Sequence, residues 1–508
     1  MMGQQDGQPE LFSYQVNLDK RVRPDHPLRA VATQIDFTFV RAEVAQFYGK
    51  KGNVSVDPVV ILKMMFLLFF DNVPSERELM AILPERLDYL WFLGYGLNDQ
   101  VPNHTVLSKA RSRWGAEVFE QLFLRTIAAC VNAGLVDGTK VHLDGSLIRA
   151  NASTDSIRQG PPELVAALRK TYQEQAAKLS EEPEEQPGSE APQSIELEVA
   201  ETEQGSPPSA LKRAGANQTH VSTTDPDAEL MRKRRGPSLP SYKEHRMIDD
   251  AYGVITAHVV TKGSVQEDTQ LFHLIAEHEK NTSVVVQTAV ADSQYGTVEN
   301  ILGCGERGIQ PHMANLKEAQ DQAGLRQKFF TEEKFTYDRA TDTYQCPAGQ
   351  VMKRWQKRAE KKAYQYMAAK GTCDACQLRS QCTEAQGGRR IQRFDQQQQI
   401  EQGRAVSRSQ AARKDRRRRK HLMEGSFADA ANQHGFKRAR WRRLWRQAIQ
   451  SHLIAACQNI RILMRNLSKK LSAGQKQRIS VHLVLNCRNY LHRLLTYLGA
   501  DVIWKLNW

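Results

Sequence analysis

A chain of 508 residues exceeds what one ordinary hydrophobic core organises, so two or three domains are expected. Its 40% hydrophobic and 25% charged residues set a packed globular protein as the class, and eight cysteines are too few for a disulfide scaffold. A net charge of +14 favours a polyanionic partner, nucleic acid before membrane. Met1 to Pro9 is polar, without the apolar core of a targeting signal. The most apolar run, Pro58 to Phe70, is too short to span a bilayer and contains Lys63. A cytoplasmic chain with no membrane contact is therefore expected.

Residues 15–128 read as a helical module. Val59–Phe70 is helix-like and buried, and Asn72-Val-Pro74 breaks it. Ser75 starts a new helix, with Glu78 three residues on as a capping box. Pro84 suits the first turn of a helix running to about Phe92. Asn103 is placed to cap Thr105–Trp114, which carries Lys109, Arg111 and Arg113. Short helices of which one is basic suit a helix-turn-helix-like DNA contact, and equally a packing domain with a solvated basic face.

Further along, Val141-His-Leu-Asp144 predicts the end of a short buried strand and opens a first catalytic segment, 135–160. The span 161–216 reads as a disordered acidic linker. Its stretch Glu181 to Glu203 holds nine Glu and no Lys or Arg, too little apolar surface to offset the entropy of ordering. Order resumes over 217–335. Val254–Val260 predicts a strand, Thr269–Lys280 a helix, and Val284–Ala291 a second strand ending at Asp292. A cysteine-rich insertion (336–400) and a basic helical part (401–508) complete the division.

Asp144 and Asp292 thus both follow apolar strand residues. Carboxylates at neighbouring strand ends can converge on divalent cations while the strands hold their backbones. Two such cations activate the attacking oxygen and stabilise the leaving one in an in-line phosphoryl displacement. Magnesium requires oxygen ligands and keeps several waters, so two or three carboxylates suffice. Glu424 is a third acid, set inside a basic block with Phe427 one helical turn on. Spacing alone leaves open whether Glu424 is a ligand or a charge-balancing surface residue.

The segment Val141-His-Leu-Asp-Gly-Ser-Leu-Ile-Arg-Ala-Asn-Ala-Ser153 resembles the first-aspartate motif of insertion-sequence DDE transposases, and Ala291-Asp-Ser-Gln-Tyr-Gly296 resembles their second. Glu424-Gly-Ser-Phe427, with His434 to Trp441 and Ala455 to Asn459 behind it, is similar to their glutamate region. The helical module resembles the domain found in front of these enzymes. The resemblance implies an α/β fold, a ribonuclease-H-like mixed sheet flanked by helices, with an all-helical N-terminal domain. It implies DNA cleavage at transposon ends followed by attack of the freed 3′-hydroxyl on target DNA. In that chemistry Asp144, Asp292 and Glu424 hold magnesium or manganese, and the chain works as a homo-oligomer on DNA. Many relatives carry a lysine seven residues after the glutamate. Here that residue is Ala431, which keeps a DNA-binding protein that has lost catalysis as the alternative.

Cys346, Cys373, Cys376 and Cys382 follow the pattern C-x26-C-x2-C-x5-C. The knuckle pair Cys373/Cys376 and a count of four thiolates fit a closed structural zinc site, with an iron–sulfur cluster or unligated thiols as the other readings. Cys346-Pro-Ala-Gly349 suits a tight turn presenting one ligand. Cys130, Cys304, Cys457 and Cys487 read as buried small side chains. From Arg413 to Arg446 there are thirteen Lys or Arg against three acids. Arg416, Arg417, Arg418, Lys420, Lys437, Arg438, Arg440 and Arg442 are the candidate phosphate contacts, interleaved with Trp441 and Trp445. Such contacts position DNA without reading it, so sequence recognition is assigned to the N-terminal helices.

Overall fold

Pro58 opens the most apolar helix of the chain, and the Asp57 carboxylate accepts from the Val59 N–H at its start. Ten of the thirteen residues of Pro58–Phe70 are buried, so the helix is packed on every side rather than on one stripe. Lys63 is accommodated because its Nζ donates to the Phe92 carbonyl at 2.8 Å. Around this rod lie Pro27–Gln34, Glu76–Ile82, Leu87–Leu93, Thr105–Trp114 and Glu117–Asn132. Ser75 Oγ accepts from the Glu78 N–H and Asn103 Oδ1 from the Thr105 N–H, which fixes two of the helix starts. The description comes from a computed structural model covering residues 16–49, 55–181, 215–232, 236–316 and 329–472.

A mixed six-stranded sheet follows. Ser238–Asp249 pairs antiparallel with Lys140–Arg149 on one side, and with Ile255–Lys262 and Glu229–Arg232 on the other. Thr288–Val290 then pairs parallel with Lys140–Val141–His142, and Gln310–His312 pairs parallel with Thr288–Val290. The short strand expected to end at Asp144 therefore runs on to Arg149, held by antiparallel pairing along its whole length. The strand expected over Val284–Ala291 is confined to Thr288–Val290, because pairing partners on both sides exist only there. Pro162–Glu181 forms a helix, so the first part of the span expected as linker is ordered. The acidic stretch beyond it, residues 182–214, lies outside the described residues, as does Cys487.

Strand alternation divides the cores. Val141 and Leu143 point into a cluster with Leu274, Ile275, Ala289 and Tyr295, under the helices Leu271–Thr282 and Val298–Glu306. Ile148, Tyr242 and Ile255 join the opposite cluster, which contains the N-terminal helices together with Gln410–His434 and Leu444–Ser472. The N-terminal helices thus share a core with the sheet instead of closing one of their own. Asn459 of the last helix clamps Ile255, its Oδ1 accepting from the N–H and its Nδ2 donating to the carbonyl, both at 2.9 Å. A separate antiparallel sheet, ordered Arg390–Phe394, Ala363–Ala368, Val351–Arg358, Thr343–Gln345 and Thr336–Asp338, forms the insertion around Tyr344, Met352, Tyr366 and Ile391. No described helix is long and apolar enough to cross a membrane.

Two buried histidines make this packing sensitive to acid. Burial pushes His245 and His434 down to about 4, with His434 Nδ1–H donating to the Phe69 carbonyl at 2.6 Å. Both folded-state values lie below the ordinary ~6.5, so the unfolded chain takes up protons first on acidification. The stability is complete above about pH 6.5 and is lost as pH falls toward 4, on the order of 1–3 kcal/mol per histidine. Urea unfolding across this range should show the loss, and His434→Gln should flatten the curve. An equally steep curve in that variant would exclude His434 as a source.

Candidate active site

Asp144 is brought to the site from the middle of the central strand, its Oδ1 accepting from the Gly145 N–H at 2.9 Å. Asp292 stands two residues past the parallel neighbouring strand, and its Oδ1 accepts from the Gln294 N–H at 2.8 Å. Because the two strands are adjacent and parallel, with His142 beside Val290, Asp144 and Asp292 each come two residues past that pair and so to one place. The third member is Glu267, from the turn between the Ile255–Lys262 strand and the Leu271–Thr282 helix. One ligand oxygen from each of Asp144, Glu267 and Asp292 lies within 4.8 Å of the other two. Among the described residues this is the only group of three or more His, Cys, Asp or Glu ligand atoms so close.

The local sequence makes room for it. A Cβ on Gly145 would stand 2.6 Å from Glu267 Cδ, so a larger residue after Asp144 would push that carboxylate away. Two cations offset part of the charge. Arg419 Nη1 reaches Asp144 Oδ2 at 2.9 Å and the Leu143 carbonyl at 3.2 Å, and Lys243 Nζ lies 3.7 Å from Glu267. Burial raises the Asp144 carboxyl, Arg419 opposes this, and Asp292 adds to it. Glu267 is likewise raised by burial, opposed by Lys243 and reinforced by the two aspartates. Half-buried carboxylates that repel one another are stabilised by a cation between them, and an all-oxygen donor set suits magnesium or manganese.

Glu424 lies elsewhere on this surface. It is exposed on the Gln410–His434 helix and is not part of the group. Arg419, Met423, Phe427 and Ala430 form the stripe of that helix that faces the sheet. Glu424, five residues past Arg419, points about 140° away from it at ~100° per residue. Glu267 has no signal in the sequence, because it opens a single short 3-10 turn, Glu267–Gln270, ahead of the expected helix. Only the small residue after Asp144 hints at something packed against it.

The basic block separates into buried and exposed parts. Arg440 is half-buried against Phe69 and donates to the Val73 carbonyl at 2.5 Å, and burial pulls it down to about 10. Arg416 donates to the Ser407 carbonyl at 2.7 Å and Arg418 to Asp250 Oδ1 at 2.6 Å. Beneath them Asp415 accepts from His312 Nδ1 at 2.8 Å and lies 3.0 Å from Lys140 Nζ, which pins the helix to the sheet. Lys437 Nζ donates to Ser146 Oγ at 2.7 Å, and Arg442 to the Asn151 carbonyl at 3.2 Å. Arg417, Arg418, Lys420, Lys437, Arg438 and Arg442 are exposed.

In the insertion, Cys346, Cys373, Cys376 and Cys382 line one cavity of roughly 30 Å³ with Phe330, Met352 and Leu378. Cys346 is presented by the expected turn, in which the Gly349 N–H donates to the Cys346 carbonyl at 2.8 Å and Gly349 takes φ +76°. Burial raises the Cys382 thiol, Arg389 opposes this, and the neighbouring Cys373, Cys346 and Cys376 add to the rise.

Two family models match the chain. One, described as Transposase domain (DUF772), covers residues 16–113, and the other, described as Transposase DDE domain, covers residues 345–464. The second includes Glu424 and the four clustered cysteines, whereas Asp144, Glu267 and Asp292 lie between the two matches. No curated protein and no solved structure matches.

Proposed function

We propose, for a chain that belongs to the DDE transposases of insertion-sequence type, that it cleaves DNA at transposon ends and joins the freed 3′ end to target DNA. The convergence of Asp144 and Asp292 from adjacent parallel strands carries this reading. The sheet order supports a ribonuclease-H-like fold: the antiparallel run Ile255–Lys262, Ser238–Asp249, Lys140–Arg149 is followed by two strands parallel to the last, and Glu229–Arg232 is added beside Ser238–Asp249. Asp144 and Asp292 would hold magnesium or manganese, whose Lewis acidity neutralises charge at the scissile phosphate. Arg419 keeps the Asp144 carboxylate oriented, and Glu424 remains the helix-borne acid assigned to the same chemistry. The exposed cations Arg417, Arg418, Lys420, Lys437, Arg438 and Arg442 would hold the phosphate backbone, with Arg416 and Arg440 bracing the helices that present them. Assembly of two or more copies on DNA belongs to the same reading.

The test is cleavage by the purified chain of DNA carrying the flanking element ends. Nicking that requires magnesium or manganese and stops with a chelator is expected. Tight DNA binding without any nicking would favour the alternative of a DNA-binding protein that has lost catalysis.

The insertion is proposed to carry one structural zinc on Cys346, Cys373, Cys376 and Cys382. Metal analysis should find about one zinc per chain. Cys376→Ser should lose it and loosen the insertion to protease. Protein free of both zinc and iron would remove the site.

A further inference from the structure

We infer that Glu267 is a ligand of the divalent cation in the DNA-free chain, with Tyr295 as the residue that positions it. The inference deepens the metal-dependent reading and rests on it. Glu267 alone would be one more acid in an acidic cluster. Two further observations distinguish it. The first is Gly145, where any side chain would collide with the Glu267 carboxylate, so the chain directly after Asp144 is shaped to admit it.

The second is Tyr295. Its ring is completely buried in the cluster beneath the helices, yet its hydroxyl has no hydrogen-bond partner among the described residues. Leaving a buried hydroxyl unpaired costs about 1–3 kcal/mol, so such a group calls for a partner. Burial raises the Tyr295 hydroxyl well above the usual tyrosine range, the neighbouring Glu267, Asp144 and Asp292 carboxylates raise it further, and Arg419 opposes them. An enclosed donor in the field of three carboxylates is placed to hydrogen-bond a ligand oxygen or a water of the cation's shell. Outer-shell partners of this kind orient the ligand groups.

The arrangement also divides the work among the acids. Asp144, Glu267 and Asp292 are gathered before any DNA is present, whereas Glu424 stands on the exposed helix that carries the phosphate-binding cations. Cation capture by the free protein therefore depends on Glu267 and is independent of Glu424.

Calorimetric titration of Mn2+ into the full chain without DNA tests this. Wild type should bind Mn2+. Asp144→Asn, Asp292→Asn and Glu267→Gln should each weaken it by roughly tenfold or more, while Glu424→Gln leaves it unchanged. Tyr295→Phe should weaken binding by about tenfold, the scale of an outer-shell loss. Gly145→Ala keeps every carboxylate and should still lower affinity by displacing Glu267, which guards against a Glu267 variant that folds poorly. Wild-type affinity in Glu267→Gln, with loss in Asp144→Asn, would overturn the assignment and leave the metal-dependent reading intact. A wild-type chain that binds no Mn2+ without DNA would overturn the inference, whereas the metal-dependent reading stands or falls on the nicking of end-bearing DNA.

Discussion

Asp144→Asn and Asp292→Asn should each reduce nicking of end-bearing DNA by on the order of a thousandfold or more. A cation at the scissile phosphate is worth several kcal/mol of charge stabilisation, and each ~1.4 kcal/mol is tenfold in rate. An amide keeps the shape of the carboxylate but not the charge that retains the cation. The two sites differ in what they leave behind. Asp144→Asn frees Arg419 from its 2.9 Å ion pair, though that guanidinium keeps the Leu143 carbonyl. Among the described residues Asp292 has no ion pair of that kind for Asp292→Asn to disturb. DNA binding, measured by mobility shift at fixed salt, should persist in both, because the exposed cations of the Gln410–His434 helix and the segment behind it are untouched. Near-normal nicking in either variant, with unchanged circular dichroism, would remove the aspartate from the chemistry.

Arg246→Met should be the most destabilising single change, at about 3–5 kcal/mol, since it strips one partner from a buried ion pair. Arg246 and Glu244 are both completely enclosed. Arg246 Nε donates to Glu244 Oε1 at 2.8 Å, and Nη1 donates to Ser426 Oγ at 2.8 Å and Gln458 Oε1 at 2.9 Å. Its guanidinium also lies 4.6 Å from the Phe427 ring centre. One side chain therefore ties the sheet to both C-terminal helices, and it stands directly opposite Asp144 in the strand register. Losing it leaves Glu244 charged and alone in the core. Replacing Glu244 by Met as well should recover much of the loss, because the residual cost is that of the orphaned carboxylate. Urea unfolding of the single and double variants gives the comparison. A single variant within 1 kcal/mol of wild type would show that the pair is better solvated than its enclosure implies.

Much of the local architecture was legible from the residues themselves. Ser75 before Glu78 and Asn103 before Thr105 announce helix starts, since capping is decided by groups two or three residues apart. Apolar runs leading into Asp144 and Asp292 announce the strands for the same reason of range, and Cys346-Pro-Ala-Gly349 announces its turn. Strand ends were less legible. The length of Lys140–Arg149 depends on its partner Ser238–Asp249, which lies across the acidic span.

The sequence by itself determined that the chain is basic, helical at the front, built on apolar strand residues that lead into two aspartates, and supplied with four clustered cysteines. Those properties follow from composition and short-range periodicity. Tertiary structure alone decided that Glu267 joins Asp144 and Asp292 while Glu424 stands out on a helix face. It also decided that Arg440 serves packing and Arg417 faces solvent, although both belong to the same basic block. The reason is physical: a charged side chain's role depends on which distant backbone and rings enclose it, and that is set by sheet order and helix docking. No pattern of neighbouring residues carries that information.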